Sequence, residues 1–404
     1  MDLEKTVPKN ERGEREKREK HHIYILIVAQ TVCLCQYGEI GMGKKRVLLL
    51  GPFPPPIGGD TVLTLNVSRS RYWNDYGITL DCIDTSPGDR VRVPHEALTS
   101  KDVMRGARIF LELVAKLPRC GAVLLFANNR FVVTAGLPII AWSRLCGRPV
   151  FLKTFGAYFA RQLRDTPKSR RKLVLALLAR TACMFPETKA LERSLVEEGW
   201  LPGERVRALP NFLREGSFGE ARAPRRFSGR CVFFGQIKRE KGVFDIIEAL
   251  GGTAGASCDF YGPILPRDHE SFLGGVAKHA NLAYRGTVEP GGVSRVAAAY
   301  DVLLLPTYHE SEGYPAVILE AYAAGIPVIA TNWLGLPEIV EDGVQGILVP
   351  VRSPDKIREA VDTLFADARL YESMCVNARA FVNAFSERVV LSGILIPLVA
   401  RALR

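Results

Sequence analysis

Short apolar runs rich in Val, Ile, Leu and Phe alternate with helix-type patterns along most of the chain after residue 46. Near-continuous apolar runs are typical of strands that are buried on both faces, and a helix between two such strands provides the crossover that parallel pairing needs. The alternation therefore predicts parallel sheets covered by helices on both faces. The first set of runs lies at 47–51, 78–83, 122–126, 150–154, 181–186 and 206–209. The second set lies at 231–235, 258–262, 282–285, 302–306, 327–331 and 347–349.

The two sets of predicted strands divide the 404-residue chain into two domains joined near a basic linker at 221–230. Each half is long enough to bury a core of its own. We therefore expect two doubly wound α/β domains that face each other, at 43–215 and 216–384. Residues 385–404 are expected to form a helix that packs back on the first domain.

The first 42 residues do not fit this pattern. Residues 2–22 are mostly charged and show no apolar period, and the apolar run at 23–35 is too short to span a bilayer. A signal peptide and a translation start at Met42 are both compatible with these features. We favour the start at Met42, because a basic pair there leads directly into a buried strand, and we expect residues 1–42 to be poorly ordered.

The positive charge of the chain is concentrated in its first domain. The formal net charge is +11, of which residues 43–220 contribute +12, residues 221–404 contribute −1 and residues 1–42 contribute zero. This asymmetry suggests that nucleic acid, an anionic membrane or a phosphorylated substrate faces the first half. Apolar residues make up 47% and charged residues 24%, which excludes a disordered chain and a multi-span membrane protein. Nine scattered Cys without metal-ligand spacing favour a reduced, cytoplasmic protein.

The stretch at 302–331 carries the most specific pattern. It predicts a buried strand, a polar loop, a helix with Pro315 at its first position, a stop at Gly325 and another buried strand. Ligands of parallel sheets bind beyond the carboxyl ends of the strands, and free N–H groups at a helix start favour an anion. Glu312 in the loop and Glu320 in the second helical turn can therefore face one ligand. Two carboxylates that accept hydrogen bonds from hydroxyl groups suggest a polyol, but a solvated loop residue and a helix-dipole partner are the better explanation of such a pair taken alone.

The residues around this pair resemble the retaining glycosyltransferases of the GT-B fold, family four, also called group 1. The resemblance rests on a Glu-x7-Glu pattern at Glu312 and Glu320, followed by Ala-x-Ala-x-Gly-x-Pro-Val-Ile. It also rests on Gly-Gln-Ile-Lys-Arg-Glu-Lys-Gly at 235–242, which is similar to the diphosphate loop of the family. The Pro-rich loop that ends at Gly58 and Gly59 is similar to the loop that closes over the donor. The resemblance covers about 46–385 and is stronger in the second half.

The resemblance implies two facing Rossmann-like domains with a cleft between them, the first on the acceptor side and the second holding a nucleotide diphosphate sugar. It implies that Glu320 binds the ribose hydroxyls and that Glu312, with the backbone of Gly313 and Tyr314, holds the sugar that moves. Lys241 would neutralise the diphosphate as it leaves, and retention would proceed without an obvious covalent intermediate. The other donor-binding residues that it implies are Gly235, Lys238, Gly58, Gly59 and Arg285.

Two positions depart from the family pattern. Gln236 stands where the family has Arg, so one charge for the diphosphate is missing unless Lys238 or Arg239 replaces it. Phe155 stands where many members have His, so we assign no catalytic His there. No Asp-x-Asp motif is present, and the sequence gives no reason to require a metal or another cofactor. His309 is expected to be a loop residue rather than a metal ligand.

Basic residues cluster at 148–180, where nine Lys and Arg occur with a single Asp. The sequence from 168 to 180 predicts a helix whose basic first turn contains Arg170, Arg171 and Lys172. An ordinary packed helix with a solvated end explains this pattern, and so does contact with an anionic membrane or a lipid diphosphate. RNA binding is a poorer explanation, because no aromatic-rich RNA-binding motif accompanies the charge.

These features favour transfer of a sugar from a nucleotide diphosphate sugar to a lipid-linked or cell-surface glycan acceptor. The expected enzyme is cytoplasmic and peripheral on the inner face of the cell membrane, and its partners are the nucleotide sugar, the acceptor and the anionic membrane surface, with no nucleic acid. Two alternatives remain open. A nucleotide-sugar epimerase or hydrolase of the same fold needs an acid/base pair in the first domain, where none is evident. A non-catalytic membrane-associated scaffold is favoured only by Gln236 and Phe155.

Overall fold

The structure is a computed structural model that describes residues 45–87, 99–218 and 226–404. The expectation for residues 1–42 lies outside the described residues. Two all-parallel sheets form in the described part of the chain, one of five strands and one of six. The strands of the first sheet are β1 Lys45–Gly51, β2 Ile78–Asp84, β3 Ala122–Asn128, β4 Val150–Phe155 and β5 Cys183–Phe185. Those of the second sheet are β6 Arg230–Phe234, β7 Ser257–Tyr261, β8 Leu282–Tyr284, β9 Val302–Leu305, β10 Val328–Thr331 and β11 Gly346–Val349.

Helices connect successive strands and cover the sheets. Those of the first half are α1 Gly59–Ser68, α2 Ser100–Lys116, α3 Leu137–Leu145, α4 Phe159–Asp165, α5 Lys168–Leu178 and α6 Lys189–Glu197. Those of the second half are α7 Val243–Leu250, α8 His269–Ala277, α9 Val293–Ala297, α10 Ala316–Ala323, α11 Pro354–Ala366, α12 Ala368–Phe381 and α13 Ile396–Ala402. A π-helical segment, Arg388–Leu395, leads directly into α13. No helix in the described ranges is both long enough and apolar enough to cross a membrane.

The strand orders create one crevice in each sheet. The first sheet has the order β2-β1-β3-β4-β5 and the second has β11-β10-β9-β6-β7-β8. The first strand of each domain has a neighbour on both sides: β1 lies between β2 and β3, and β6 lies between β9 and β7. The strand order therefore reverses between β1 and β3 in the first sheet and between β6 and β9 in the second. Ligands of such sheets bind beyond the carboxyl ends of the strands at these two points. The prediction of two doubly wound parallel α/β domains is confirmed.

One predicted strand is wrong. The apolar run at 206–209 forms only a single bridge, between Met184 of β5 and Val206. The N–H of Leu209 still donates to the carbonyl oxygen of Pro186 (2.8 Å), but the next residue is Pro210, which has no N–H to continue the ladder. The first sheet therefore ends at β5.

Alternate residues of the first sheet pack into two cores. Leu48 and Leu50 lie in a core with apolar residues of α2, α3, α4, α5 and α6. Val47 and Leu49 lie on the opposite face, in a core with α1 and the C-terminal segment. That segment contributes Val390, Leu391, Leu395, Ile396 and Val399. The end of the chain thus packs on the first sheet, while the boundaries at 215/216 and 384/385 stay predictions.

Candidate active site

The loops that follow β6 and β9 meet at the crevice of the second sheet. The N–H of Tyr308 donates to the carbonyl oxygen of Glu240 (2.9 Å), so the two loops are held together. Gly242 has a φ of +74°, and a Cβ there would lie 2.2 Å from the carbonyl oxygen of Pro306. Because only glycine permits this backbone conformation and this approach, Gly242 explains how the loops come so close.

This contact brings Lys241 and Glu312 together. The Nζ of Lys241 lies 2.5 Å from Oε2 of Glu312, and the Thr307 hydroxyl donates to the same oxygen (2.7 Å). Burial alone would raise the pKa of Glu312, but the Lys241 ammonium and the Thr307 hydroxyl outweigh it, so the pKa lies below its ordinary value. Glu312 is therefore an ionised, buried carboxylate beside the start of α10.

A second ammonium group acts on the same carboxylate. Burial, reinforced by repulsion from Lys241, lowers the pKa of Lys238 to about 8. Burial also lowers the pKa of His309 to about 4, with Lys238 and Lys241 contributing, so this imidazole is neutral near pH 7. Arg239 instead has its guanidinium 4.3 Å from the centre of the Phe244 ring. Lys238 and Arg239 are the two side chains that could supply the charge that Gln236 lacks. Of these, Lys238 shares the electrostatic environment of Glu312.

Glu320 lies in α10, two turns beyond Glu312. Burial raises the pKa of Glu320 to about 7. In the described part of the chain no hydrogen bond or ion pair holds its carboxylate. A half-buried carboxyl group without a protein partner can accept hydrogen bonds from a ligand.

The remaining residues of the predicted donor site lie in several surroundings. Gly235 has a φ of +145° at the end of β6, and Gly58 and Gly59 lie at the start of α1, beyond the carboxyl end of β1. Arg285 follows β8, but its Nε pairs with Oδ2 of Asp259 (3.0 Å) and its side chain is 54% exposed. The structure therefore gives Arg285 a protein partner, and its donor-binding role stays a prediction.

The carboxyl edges of the two sheets face each other across Gly313 and Tyr314. The N–H of Tyr314 donates to Oε2 of Glu187 in the first domain (3.3 Å). Gly156 of the first domain has a φ of +84°, and a Cβ there would lie 2.7 Å from the carbonyl oxygen of Ser311. The contact is therefore close, and the site includes groups from both domains.

Sequence reasoning missed two charged residues at this contact, Lys153 and Glu187. Both are buried. A signal for Lys153 was available, since a lysine occupies the middle of the apolar run at 150–154 and needs a partner there. Glu187 gave no comparable signal, because its position after a short strand is typical of a solvated carboxylate.

The basic helix predicted at 168–180 is α5. Lys168, Arg170 and Lys172 are exposed, whereas Arg171 is half-buried and its Nη1 lies near the carbonyl oxygens of Leu163 (3.4 Å) and Arg164 (3.3 Å). The same side of the first domain exposes large apolar side chains. They are Val103, Met104 and Leu111 of α2, Leu145 of α3 and Leu173 of α5.

Comparison with known proteins adds to this geometry. The family model described as Glycosyl transferases group 1 matches residues 228–367, which include both loops of the site. The second half of the chain is thus similar to the group 1 glycosyltransferases. The predicted resemblance is thereby confirmed.

Two curated relatives and one solved structure illustrate the match. The alpha-D-kanosaminyltransferase of Streptomyces kanamyceticus is 27% identical over 58% of this chain, which corresponds to 66% of the relative. The lipopolysaccharide core biosynthesis glycosyltransferase LpsE of Rhizobium meliloti is 25% identical over 58% of this chain and 68% of the relative. The match thus spans about two thirds of these relatives. The crystal structure of Anabaena HepE in complex with UDP-glucose covers 88% of this chain and 99% of its own at 15% identity, with a TM-score of 0.66. The two-domain arrangement of the chain is the GT-B fold.

Proposed function

We propose that the protein is a retaining glycosyltransferase that moves a sugar from a nucleotide diphosphate sugar to a lipid-linked or cell-surface glycan acceptor. One observation carries the proposal. Lys241 and Glu312 form a partly buried ion pair at the crevice of the second sheet, beside the start of α10 and facing the first domain. A cation here can neutralise charge that develops on a departing phosphate, and a carboxylate here can hold sugar hydroxyls.

We assign the nucleotide to the second domain. Glu320 would accept hydrogen bonds from the ribose hydroxyls, while Lys238, Lys241 and the backbone after Gly235 would hold the diphosphate. The pKa of about 8 for Lys238 supports this role. Burial and the nearby Lys241 disfavour the charged form of Lys238, so a bound diphosphate would stabilise that form. Gly58 and Gly59 would approach the donor from the first domain, where the absence of side chains permits a close backbone contact.

We assign the transferred sugar to Glu312 and to the N–H of Gly313. No hydrogen bond from the described residues occupies that N–H, whereas the N–H of Tyr314 is held by Glu187. Glu312 is already paired with Lys241 and Thr307, and this suits it to holding the sugar rather than to attacking it. The departing diphosphate would then accept the proton of the acceptor hydroxyl on the same face of the sugar, which gives retention.

We further propose that the first domain docks on the inner face of the cell membrane. Exposed basic groups on α5 and exposed apolar side chains on α2, α3 and α5 support this proposal. Basic groups are attracted to anionic lipid at about 1 kcal/mol each, and apolar side chains between them can enter the headgroup region. A lipid-linked acceptor would then reach the cleft from the first domain.

A screen of nucleotide sugars tests the proposed activity. We expect one nucleotide diphosphate to raise the melting temperature of the full chain and its sugar derivative to support transfer to a lipid-linked glycan. Lys241→Met should then lower kcat at least hundredfold, because the departing charge loses its cation. Lys278→Met, on the exposed end of α8, is the matched control. A parent chain that neither binds nor turns over any nucleotide sugar would refute the proposal.

A further inference from the structure

Two side chains of the first domain hold the main chain of Tyr314, one at its N–H and one at its carbonyl oxygen. The N–H of Tyr314 donates to Oε2 of Glu187 (3.3 Å), and its carbonyl oxygen accepts from Nδ2 of Asn211 (2.5 Å). Glu187 and Asn211 are both buried. We name these two residues the Tyr314 clamp. Both contacts join the first domain to the second.

One carboxylate oxygen joins the backbones of both domains. The Oε2 atom of Glu187 that accepts from Tyr314 also accepts from the N–H of Gly156 in its own domain (2.9 Å). The fit is tight, because a Cβ on Gly313 would lie 1.9 Å from this oxygen. Hydrogen bonds from N–H groups to a carboxylate are stronger than neutral ones. The position of Glu187 therefore determines the position of the Tyr314 amide.

Lys153 supports both residues of the clamp. Its side chain is fully buried in β4, and its Nζ donates to the carbonyl oxygen of Leu209 (2.6 Å), two residues before Asn211. Burial lowers the pKa of Lys153 to about 8, and the Glu187 carboxylate offsets part of this effect. Burying two charges is costly unless they are paired. Apolar side chains would fill this space at lower cost, so packing alone does not explain why both charged residues are buried here.

We propose that Glu187 is a positioning residue for Glu312. Tyr314 lies two residues after Glu312, and a displacement of its amide moves the loop that carries the carboxylate. A misplacement of about 1 Å at a reacting group can cost about a hundredfold in rate. Glu320 and Lys238 lie outside the clamp. Loss of the clamp should therefore lower kcat and leave nucleotide affinity nearly unchanged. This inference rests on the proposed transferase function.

Two double variants separate the effect of the hydrogen-bond acceptor at position 187 from the effect of the buried charge. Lys153→Met/Glu187→Gln and Lys153→Met/Glu187→Leu both remove the two charges, so neither leaves an unpaired buried ion. The Gln side chain can turn an amide oxygen towards Gly156 and Tyr314, whereas the Leu side chain has no acceptor. A role that is limited to pairing Lys153 predicts the same kcat for both variants.

The measurements are kcat, KM for the donor that the screen identifies, and the dissociation constants of uridine and guanosine diphosphate. We expect the Leu variant to have a kcat at least tenfold below that of the Gln variant, with nucleotide affinities within about threefold of each other. Equal kcat values would overturn the inference, and so would a loss of nucleotide affinity as large as the loss of kcat. If the Leu variant does not fold, Asn211→Ala should give the same selective loss of kcat, and an unchanged kcat would overturn the inference.

Hydrogen exchange separates this inference from the proposed function. In the Leu variant, the amides of Gly156 and Tyr314 should exchange faster than in the Gln variant, whether or not a donor has been found. Unchanged exchange at both amides refutes the clamp. A parent chain that shows the protected amides but no transfer activity refutes the proposed function alone.

Discussion

Replacing Glu320 by Gln is expected to stabilise the nucleotide-free protein while weakening nucleotide binding. Burial raises the pKa of Glu320 to about 7, and the described residues provide no hydrogen bond or ion pair for its carboxylate. Ionisation of this group therefore costs free energy in the folded protein and none in the unfolded chain. Gln has nearly the same shape and does not ionise.

The size and sign of the effect follow from the two pKa values. The shift from 4.5 to about 7 corresponds to at most about 3 kcal/mol. As the pH rises through 4.5, the unfolded chain loses this proton before the folded protein does, so the parent loses stability until the pH passes about 7. Glu320→Gln should match the parent below about pH 4 and exceed its free energy of unfolding by up to about 3 kcal/mol near about pH 8.

Denaturant unfolding across this pH range measures the stability difference, because every other titrating group is common to both proteins. Calorimetry with uridine and guanosine diphosphate measures the binding. Ribose hydroxyls favour the ionised carboxylate, so parent affinity should rise through about pH 7, and Glu320→Gln should bind about ten- to hundredfold more weakly at higher pH. Glu341→Gln, at an exposed carboxylate, is the control. A pH-independent stability difference would refute the raised pKa, and equal nucleotide affinity would refute the ribose assignment.

Two further predictions concern the basic groups of each domain. Lys238→Met should weaken nucleotide diphosphate binding about tenfold. The affinity of the parent should fall above about pH 8, because the Lys238 ammonium then loses its proton. Arg239→Met should change the affinity measured by calorimetry little. Co-sedimentation with anionic vesicles should fall as salt rises and the Debye length shortens, and it should fall when Arg170, Arg171 and Lys172 become Glu, with nucleotide binding retained. Equal binding to neutral and anionic vesicles would contradict the membrane proposal.

The architecture could be predicted because its main signal is local. Each buried parallel strand is an apolar run that can be recognised by itself, and the alternation with helices gives the connection type. The failure at 206–209 has the same origin, since that run is apolar but lies at an edge where Pro210 stops pairing. The apolar composition of a segment indicates that it is buried. It does not indicate whether a neighbouring strand has a free edge with which the segment can pair.

The candidate site could be predicted only in part, for reasons of distance along the chain. Lys241 and Glu312 follow β6 and β9, which are neighbours at the point where the strand order reverses, and the family pattern identified both residues. The contact between Glu187 and Tyr314 crosses between domains, and no local pattern encodes it. The partner of Arg285 depends on the rotamer that it adopts towards Asp259, which its position after β8 does not determine.

Lys241 with Glu312 and Lys153 with Glu187 contribute differently to the site. Lys241 and Glu312 both belong to the second domain, so their contact needs nothing from the first. Lys153 and Glu187 both belong to the first domain, and Glu187 reaches the Tyr314 amide only where the two domains touch. A donor held by the second domain alone would therefore meet a Glu312 loop that lacks its contacts with Glu187 and Asn211. Transfer is accordingly expected to depend on the domain contact even though the proposed nucleotide-binding side chains all lie in one domain.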